Sequence, residues 1–266
     1  MKKYEGYALV TGASSGIGSD FAMQLAAAGY DLVLVARNEP RLKKVAADIK
    51  KEHAVDIIII VQDLSKPEST DIIFDTLTEK KIHVGLLVNN AGFTTFGSFH
   101  ETPRDKSLEM INVMCTSYMD LTHKLLPSML EKGSGGVIFI SGVPGILTAP
   151  LIAVYGAAKA FTLQLGINLH AEYAKKGIDV LTVCPGLVDT NFLKTANAPI
   201  PKAPFLHPTH VAEKSLAALG KDIVLTLPSD TGVKMGLFLT RFLSYKMSEK
   251  ITAKVYKQMW DIDLDV

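Results

Sequence analysis

The chain has 266 residues, with 28 lysines and arginines against 27 aspartates and glutamates, for a formal net charge of +1. So even a balance supplies no surplus of positive charge to hold a nucleic-acid backbone or an anionic bilayer, and this length favours one large domain over two small ones. The two cysteines, Cys115 and Cys184, lie far apart, which excludes a disulfide framework; they match no metal-ligand or redox spacing, so no metal site is expected and packed thiols in a reducing compartment are.

The amino terminus, MKKYEGYALVTG, has two lysines but only a brief apolar run before a glycine-rich turn. No secretion signal is expected there, and the protein reads as cytoplasmic. Short β-branched runs then alternate with amphipathic stretches. Strands are predicted in YALVTG (7–12), DLVLVAR (31–37), DIIIIVQD (56–63), GLLVNNAG (85–92), GGVIFISG (135–142), DVLTVCPG (179–186) and DIVLTLPS (222–229). Their nearly unbroken apolar character fits parallel strands covered by helices on both faces. Between them, Phe21, Leu25 and Ala28, then Leu42, Val45 and Ile49, recur at helical spacing. Strand and helix in alternation imply right-handed crossovers and a single doubly wound α/β domain with a seven-stranded parallel sheet.

Residues 133–158 carry no charge, but six glycines and two prolines make them a poor membrane helix; a buried strand, a loop and a helix start are expected instead. The least regular stretch, 187–210, holds Pro199, Pro201, Pro204 and Pro208. It follows a strand's carboxyl end, as a substrate lid would, with a disordered loop as the alternative. Near 230–260, Leu239, Phe242, Leu243, Met247, Ile251, Val255 and Met259 form a stripe at helical spacing. A helical extension packed through that stripe is expected, with contact to a membrane surface or a partner subunit as alternatives.

Three stretches carry chemistry. In TGASSGIG (11–18), Gly12, Gly16 and Gly18 let backbone amides of a turn that includes Ser14, Ser15 and Ile17 approach a pyrophosphate at a helix N-terminus. Methyltransferases also use a glycine-rich turn after a first strand, so the turn alone leaves that class open. The second strand ends in Ala36 and Arg37, with Asp31 at its wrong end. Without an acid to repel a 2′-phosphate, and with an arginine to bind one, the cofactor expected is NADP(H). Tyr155 and Lys159 stand four apart on a helical segment, and Tyr155 is the only one of eight tyrosines with a lysine at that distance. An ammonium one turn away is expected to bring the phenol's pKa down towards the working range of an acid–base catalyst.

With NNAG (89–92) and Pro185, Gly186 and Thr190, these stretches occur in the order found in the short-chain dehydrogenase/reductase family, which the chain resembles from residue 7 to about 190, most closely in the branch of hydroxysteroid and long-chain ketoacyl reductases. The resemblance implies a homo-oligomeric oxidoreductase that interconverts a carbonyl and a secondary alcohol by hydride transfer. It implies that Ser14 assists Arg37 and that Asp63, with Leu64 beside it, meets the adenine. Asn89, Ala91, Gly92, Pro185, Gly186, Val188 and Thr190 would contact the cofactor. Tyr155 would exchange a proton with the substrate oxygen, Lys159 would also bind the nicotinamide ribose, and Asn112 would hold a water in the proton relay.

One member of the family's site is missing. The substrate-binding serine commonly lies thirteen residues before the tyrosine, and here that position is Gly142. Ser141 comes one residue earlier, where strand alternation turns its hydroxyl away from Tyr155. A bulge at Gly142 could bring Ser141 inward, another hydroxyl such as Thr148 could substitute, or the protein could be an NADP(H)-binding sensor or scaffold with weak turnover. Ile146, Leu147, Leu151, Leu187, Phe192 and Phe205 suggest a small hydrophobic ketone or alcohol as substrate.

Overall fold

The computed structural model describes residues 4–239 and 242–260; the opening MKK, on which part of the secretion-signal reading rests, lies outside the described residues. Strands β1 (Tyr7–Thr11), β2 (Leu32–Ala36), β3 (Ile57–Val61), β4 (Val84–Asn89), β5 (Gly135–Ile140), β6 (Ile178–Pro185) and β7 (Val224–Leu227) form one parallel sheet in the order 3-2-1-4-5-6-7. Each predicted strand is present. The helices are α1 (Gly16–Ala27), α2 (Glu39–Glu52), α3 (Ser69–Glu79), α4 (Arg104–Ile111), α5 (Ser117–Glu131), α6 (Ala153–Tyr173), α7 (Phe192–Thr195), α8 (Pro208–Ala218), α9 (Thr231–Leu239) and α10 (Tyr245–Trp260).

Two cores sandwich the sheet, as its two-sided apolar strands require. On one face Phe21, Leu25, Leu42 and Ile49 of α1 and α2 join Val211 of α8. On the other, Ile73 of α3, Tyr118 and Leu121 of α5 and Ala158 of α6 pack on Leu87 and Phe139. Burying each large apolar side chain contributes about 1.5–3 kcal/mol. Of the helical positions predicted between the first three strands, only Ala28 is exposed, just past the end of α1.

Residues 133–158 divide as expected into β5, a loop with a 3₁₀ turn at Val143–Gly145, and the start of α6. Among the described residues no helix is long and apolar enough to cross a membrane. The strand order reverses between β1 and β4, so the crevice beyond their carboxyl ends is the natural place for a ligand in such a sheet.

Residues 187–210 are joined to each other and to α10 by short backbone hydrogen bonds. The Leu206 amide donates to the Leu187 carbonyl at 2.8 Å, the Asp189 amide to the Leu206 carbonyl at 2.9 Å, and the Lys202 amide to the Met259 carbonyl of α10 at 2.7 Å.

The extension near 230–260 is helical, but it does not pack through the stripe read from the sequence. Phe242, Met247 and Val255 are 75%, 54% and 40% exposed, whereas Thr252, Ala253 and Trp260 are buried. The small residues let α10 approach closely and the tryptophan anchors it. Ile251, Val255 and Met259 of the stripe instead border the cavity described next.

Candidate active site

A cavity of about 800 Å³ opens over the carboxyl ends of the strands. One wall is the turn between β1 and α1. Gly12 and Gly16 have φ of +67° and +57°, the left-handed region that favours glycine. Gly12, Ser14, Ser15, Gly16 and Ile17 line the cavity. Gly18 does not; a Cβ there would lie 2.3 Å from the Gly12 carbonyl oxygen, so its part is to let α1 start against the turn.

The turn is clamped to the end of β4. The Thr11 hydroxyl accepts from the Asn90 amide at 2.9 Å and the Ala91 amide at 3.0 Å, and the Asn90 side-chain amide donates to the Thr11 carbonyl at 2.9 Å. This corrects one expectation. Asn89 is fully buried and donates to the Thr122 hydroxyl at 3.1 Å, so Asn90, not Asn89, lines the cavity together with Ala91 and Gly92. Successive side chains at a strand's end face opposite sides, and the packing of α5 against β4 claims Asn89.

At the far end of the cavity stand Ala36, Arg37, Asp63 and Leu64, joined by Arg41. Arg41, a second guanidinium four residues along the chain from Arg37, escaped the sequence reading. The Arg37 side chain is 59% exposed and 4.0 Å from the Asp63 carboxylate, an ion pair worth about 0–1 kcal/mol that leaves the guanidinium available. Burial raises the Asp63 carboxyl, but the Ser65 amide and hydroxyl and the Arg37 charge outweigh it and hold the group below its usual range. A cradle with two left-handed glycines, two guanidinium groups and no acid at the end of β2 fits an NADP dinucleotide.

Tyr155 stands in the first turn of α6, with Lys159 one turn on. Lys159 is buried, and its ammonium donates to the Ile140 carbonyl at 2.6 Å and lies 5.4 Å from the Tyr155 ring centroid. Burial lowers the Lys159 pKa to about 8. It also pushes the Tyr155 phenol above its ordinary value, opposite to the acidification expected from the sequence. The ammonium is engaged by a carbonyl and sits over the ring, and loss of hydration dominates the phenol.

The Ser141 hydroxyl, at the cavity wall, is committed to the Lys159 carbonyl, to which it donates at 2.7 Å. Gly142 has φ 169° and ψ 163°, ordinary extended backbone without a bulge, and a Cβ there would lie 3.8 Å from the Tyr155 hydroxyl oxygen. The position facing the phenol is therefore residue 142, and it carries no side chain. Thr148 borders the cavity but is exposed.

Asn112 opens a π-helical turn, Asn112–Thr116, between α4 and α5. Its side-chain amide donates to the Ser65 carbonyl at 3.1 Å and it is not among the cavity-lining residues, so the carboxamide ties the helix to the loop after β3 and does not reach the site directly. Pro185, Gly186, Val188 and Thr190 do line the cavity.

Of the apolar residues expected around the substrate, Leu147, Leu187 and Phe192 line the cavity, and Ile146, Leu151 and Phe205 do not. The Phe192 ring lies 5.5 Å from that of Tyr155. Phe96, Tyr256 and Trp260 supply the wall the sequence reading missed; the last two come from α10, and no local motif marks them.

The family model for short chain dehydrogenase matches residues 6–200. The very-long-chain 3-oxoacyl-CoA reductase of Anas platyrhynchos is 36% identical over 194 residues, 71% of this chain and 61% of the relative. The inactive hydroxysteroid dehydrogenase-like protein 1 of Homo sapiens is 35% identical over 200 residues, 74% of this chain and 60% of the relative. The chain thus spans about six tenths of the length of these two relatives. Among solved structures, a short-chain dehydrogenase from Sphingobium yanoikuyae in complex with NADPH is similar with a TM-score of 0.78 and 28% identity, over 90% of this chain and 97% of that one. Because the family match spans the glycine turn, the Asn90 clamp and the Tyr155–Lys159 pair, this chain belongs to the short-chain dehydrogenase family.

Proposed function

We propose that the protein is an NADP(H)-dependent oxidoreductase that interconverts a carbonyl and a secondary alcohol on a small hydrophobic substrate. The observation that carries this reading is the Tyr155 phenol, one helical turn from a buried ammonium, in the same apolar-walled cavity as the glycine cradle. A dinucleotide bound along Gly12–Ile17, Arg37, Arg41 and the 185–190 segment supplies or accepts the hydride. In reduction, Tyr155 releases its proton to the substrate oxygen and is left as a phenolate; in oxidation it takes the proton back. Lys159 offsets the phenolate charge, while Phe192 covers the phenol from solvent. NADPH in the Sphingobium structure supports the cofactor. The name of the Anas relative, a 3-oxoacyl-CoA reductase, supports a ketone as the group reduced.

The decisive assay is oxidation of NADPH over a panel of cyclic and long-chain ketones. Turnover that disappears in Tyr155→Phe is the expected result; NADPH binding with no turnover of any ketone favours a dinucleotide-binding sensor. That second reading draws on Gly142 and on the relative named as inactive. Cofactor choice has its own measurement. Arg37→Glu is expected to weaken NADPH binding about tenfold or more, the scale of one lost charge-assisted hydrogen bond, and to leave NADH binding nearly unchanged, as read by cofactor fluorescence titration.

The proposal includes a homo-oligomer in the cytoplasm. Leu108, Ile111, Met119 and Phe161 are exposed apolar residues on α4, α5 and α6, a surface suited to a second copy. Sedimentation velocity showing only monomer at micromolar concentration would remove that part. Phe238, Phe242, Tyr245 and Met247 are exposed beside Lys246 and Lys250 and support reversible contact with an anionic membrane surface. Salt-dependent pelleting with anionic liposomes tests it.

A further inference from the structure

We infer that Tyr256 of α10 donates the hydrogen bond to the substrate's carbonyl oxygen that position 142, lacking a side chain, cannot supply. The inference rests on the oxidoreductase reading above and names the residue that completes its site.

A carbonyl oxygen gathers negative charge as it is reduced, and a donor aimed at that oxygen lowers the barrier. The side of β5 that faces the Tyr155 hydroxyl offers none, because residue 142 is glycine and the Ser141 hydroxyl is committed to the Lys159 carbonyl. The wall supplied by α10 does offer one. Tyr256 lines the same cavity as Tyr155, and its hydroxyl is buried with no hydrogen-bond partner among the described residues. A buried phenol without a partner is uncommon and calls for an explanation. The other buried polar side-chain atoms in that condition belong to Ser69, His83, Asn89, Thr182 and Trp260, and of these only Trp260 borders the cavity.

The electrostatics divide the labour between the two phenols. Burial raises the Tyr256 phenol above its ordinary value, and negative charge on Tyr155 raises it further, so the two groups are close enough to interact. When Tyr155 has given up its proton, Tyr256 keeps its own. It therefore acts only as a hydrogen-bond donor, and no further proton or electron moves. The ring is held for this: its centroid is 5.6 Å from that of Trp260, which lies 5.1 Å from Phe96 across the cavity wall. The bond from the Lys202 amide to the Met259 carbonyl fastens α10 to the 187–210 segment. A closing segment of this kind would present the donor together with the apolar wall.

The test uses the purified full chain, NADPH and the ketone panel. Tyr256→Phe is expected to lower kcat about 10²-fold, the usual effect of removing one such donor, with KM within about threefold of wild type and NADPH affinity unchanged by fluorescence titration. Tyr256→Phe combined with Gly142→Ser should recover at least about tenfold of that loss. The backbone at 142 is extended, a conformation any residue adopts, and a side chain there faces the Tyr155 hydroxyl. A role for Tyr256 in packing alone would not be rescued from β5. Wild-type kcat in Tyr256→Phe overturns the inference, as does a loss carried instead by Thr148→Val. Should Tyr256→Phe not fold, Gly142→Ser in the wild-type chain decides. A gain below about threefold is expected if the oxygen already has its donor, and a gain near 10²-fold shows that it had none. Wild-type protein that binds NADPH but reduces no ketone overturns the oxidoreductase reading itself, which separates that failure from the failure of Tyr256→Phe to slow an active enzyme.

Discussion

Tyr155→Phe is expected to lower kcat for ketone reduction by about 10²–10⁴-fold, the range for removing a positioned proton donor, while the NADPH dissociation constant stays within about twofold. The substitution removes one oxygen and leaves the ring, its 5.5 Å contact with Phe192 and the Lys159–Ile140 hydrogen bond in place. Stopped-flow absorbance at saturating NADPH reads the first quantity and fluorescence titration the second. Burial holds this phenol above its ordinary pKa, so it is protonated across the neutral range and suits the reductive direction, in which it must begin as a donor. Unchanged ketone reduction in the variant would remove Tyr155 from the mechanism.

Lys159→Met is expected to lower kcat/KM by about 10²–10³-fold and to remove a pH dependence that the wild type shows. Burial brings the Lys159 pKa to about 8, so the ammonium is present below that pH and lost above it. Reductive kcat/KM in the wild type should therefore be level below about pH 8 and fall as pH rises through it; in Lys159→Met this descent should vanish. The same group gives an opposite slope in stability. Between about 8 and its ordinary 10.5 the folded state holds fewer protons at Lys159 than the unfolded chain does, so its contribution to stability rises with pH across that window. Urea unfolding from pH 8 to 10 should show the rise in wild type and a flatter course in Lys159→Met. A wild-type kcat/KM level through pH 9.5 would place the titrating group elsewhere.

The missing serine shows how much of a site can be read from spacing. Alternation along β5 is a local rule, and it singled out position 142 as the one facing Tyr155; a Cβ there would lie 3.8 Å from the Tyr155 hydroxyl oxygen, while the Ser141 hydroxyl donates to the Lys159 carbonyl. Position 142 then stands open towards Tyr155, and the donor inferred in its place is 101 positions after Tyr155, on a helix that no motif connects to it.

By itself the sequence determined the seven strands, the helices between them, the glycine turn and the one-turn spacing of Tyr155 and Lys159. Each is encoded by neighbours along the chain, through the periods of two and 3.6 and the left-handed backbone at Gly12 and Gly16. Only the tertiary structure decided that Asn90 and not Asn89 borders the cavity, that Arg41 joins Arg37, that burial raises the Tyr155 phenol, and that α10 turns Tyr256 and Trp260 inward while Met247 of its apolar stripe stays exposed. Those outcomes depend on which surfaces meet across long separations and how much water they exclude, and loss of hydration is a property of the assembled fold that no local period carries.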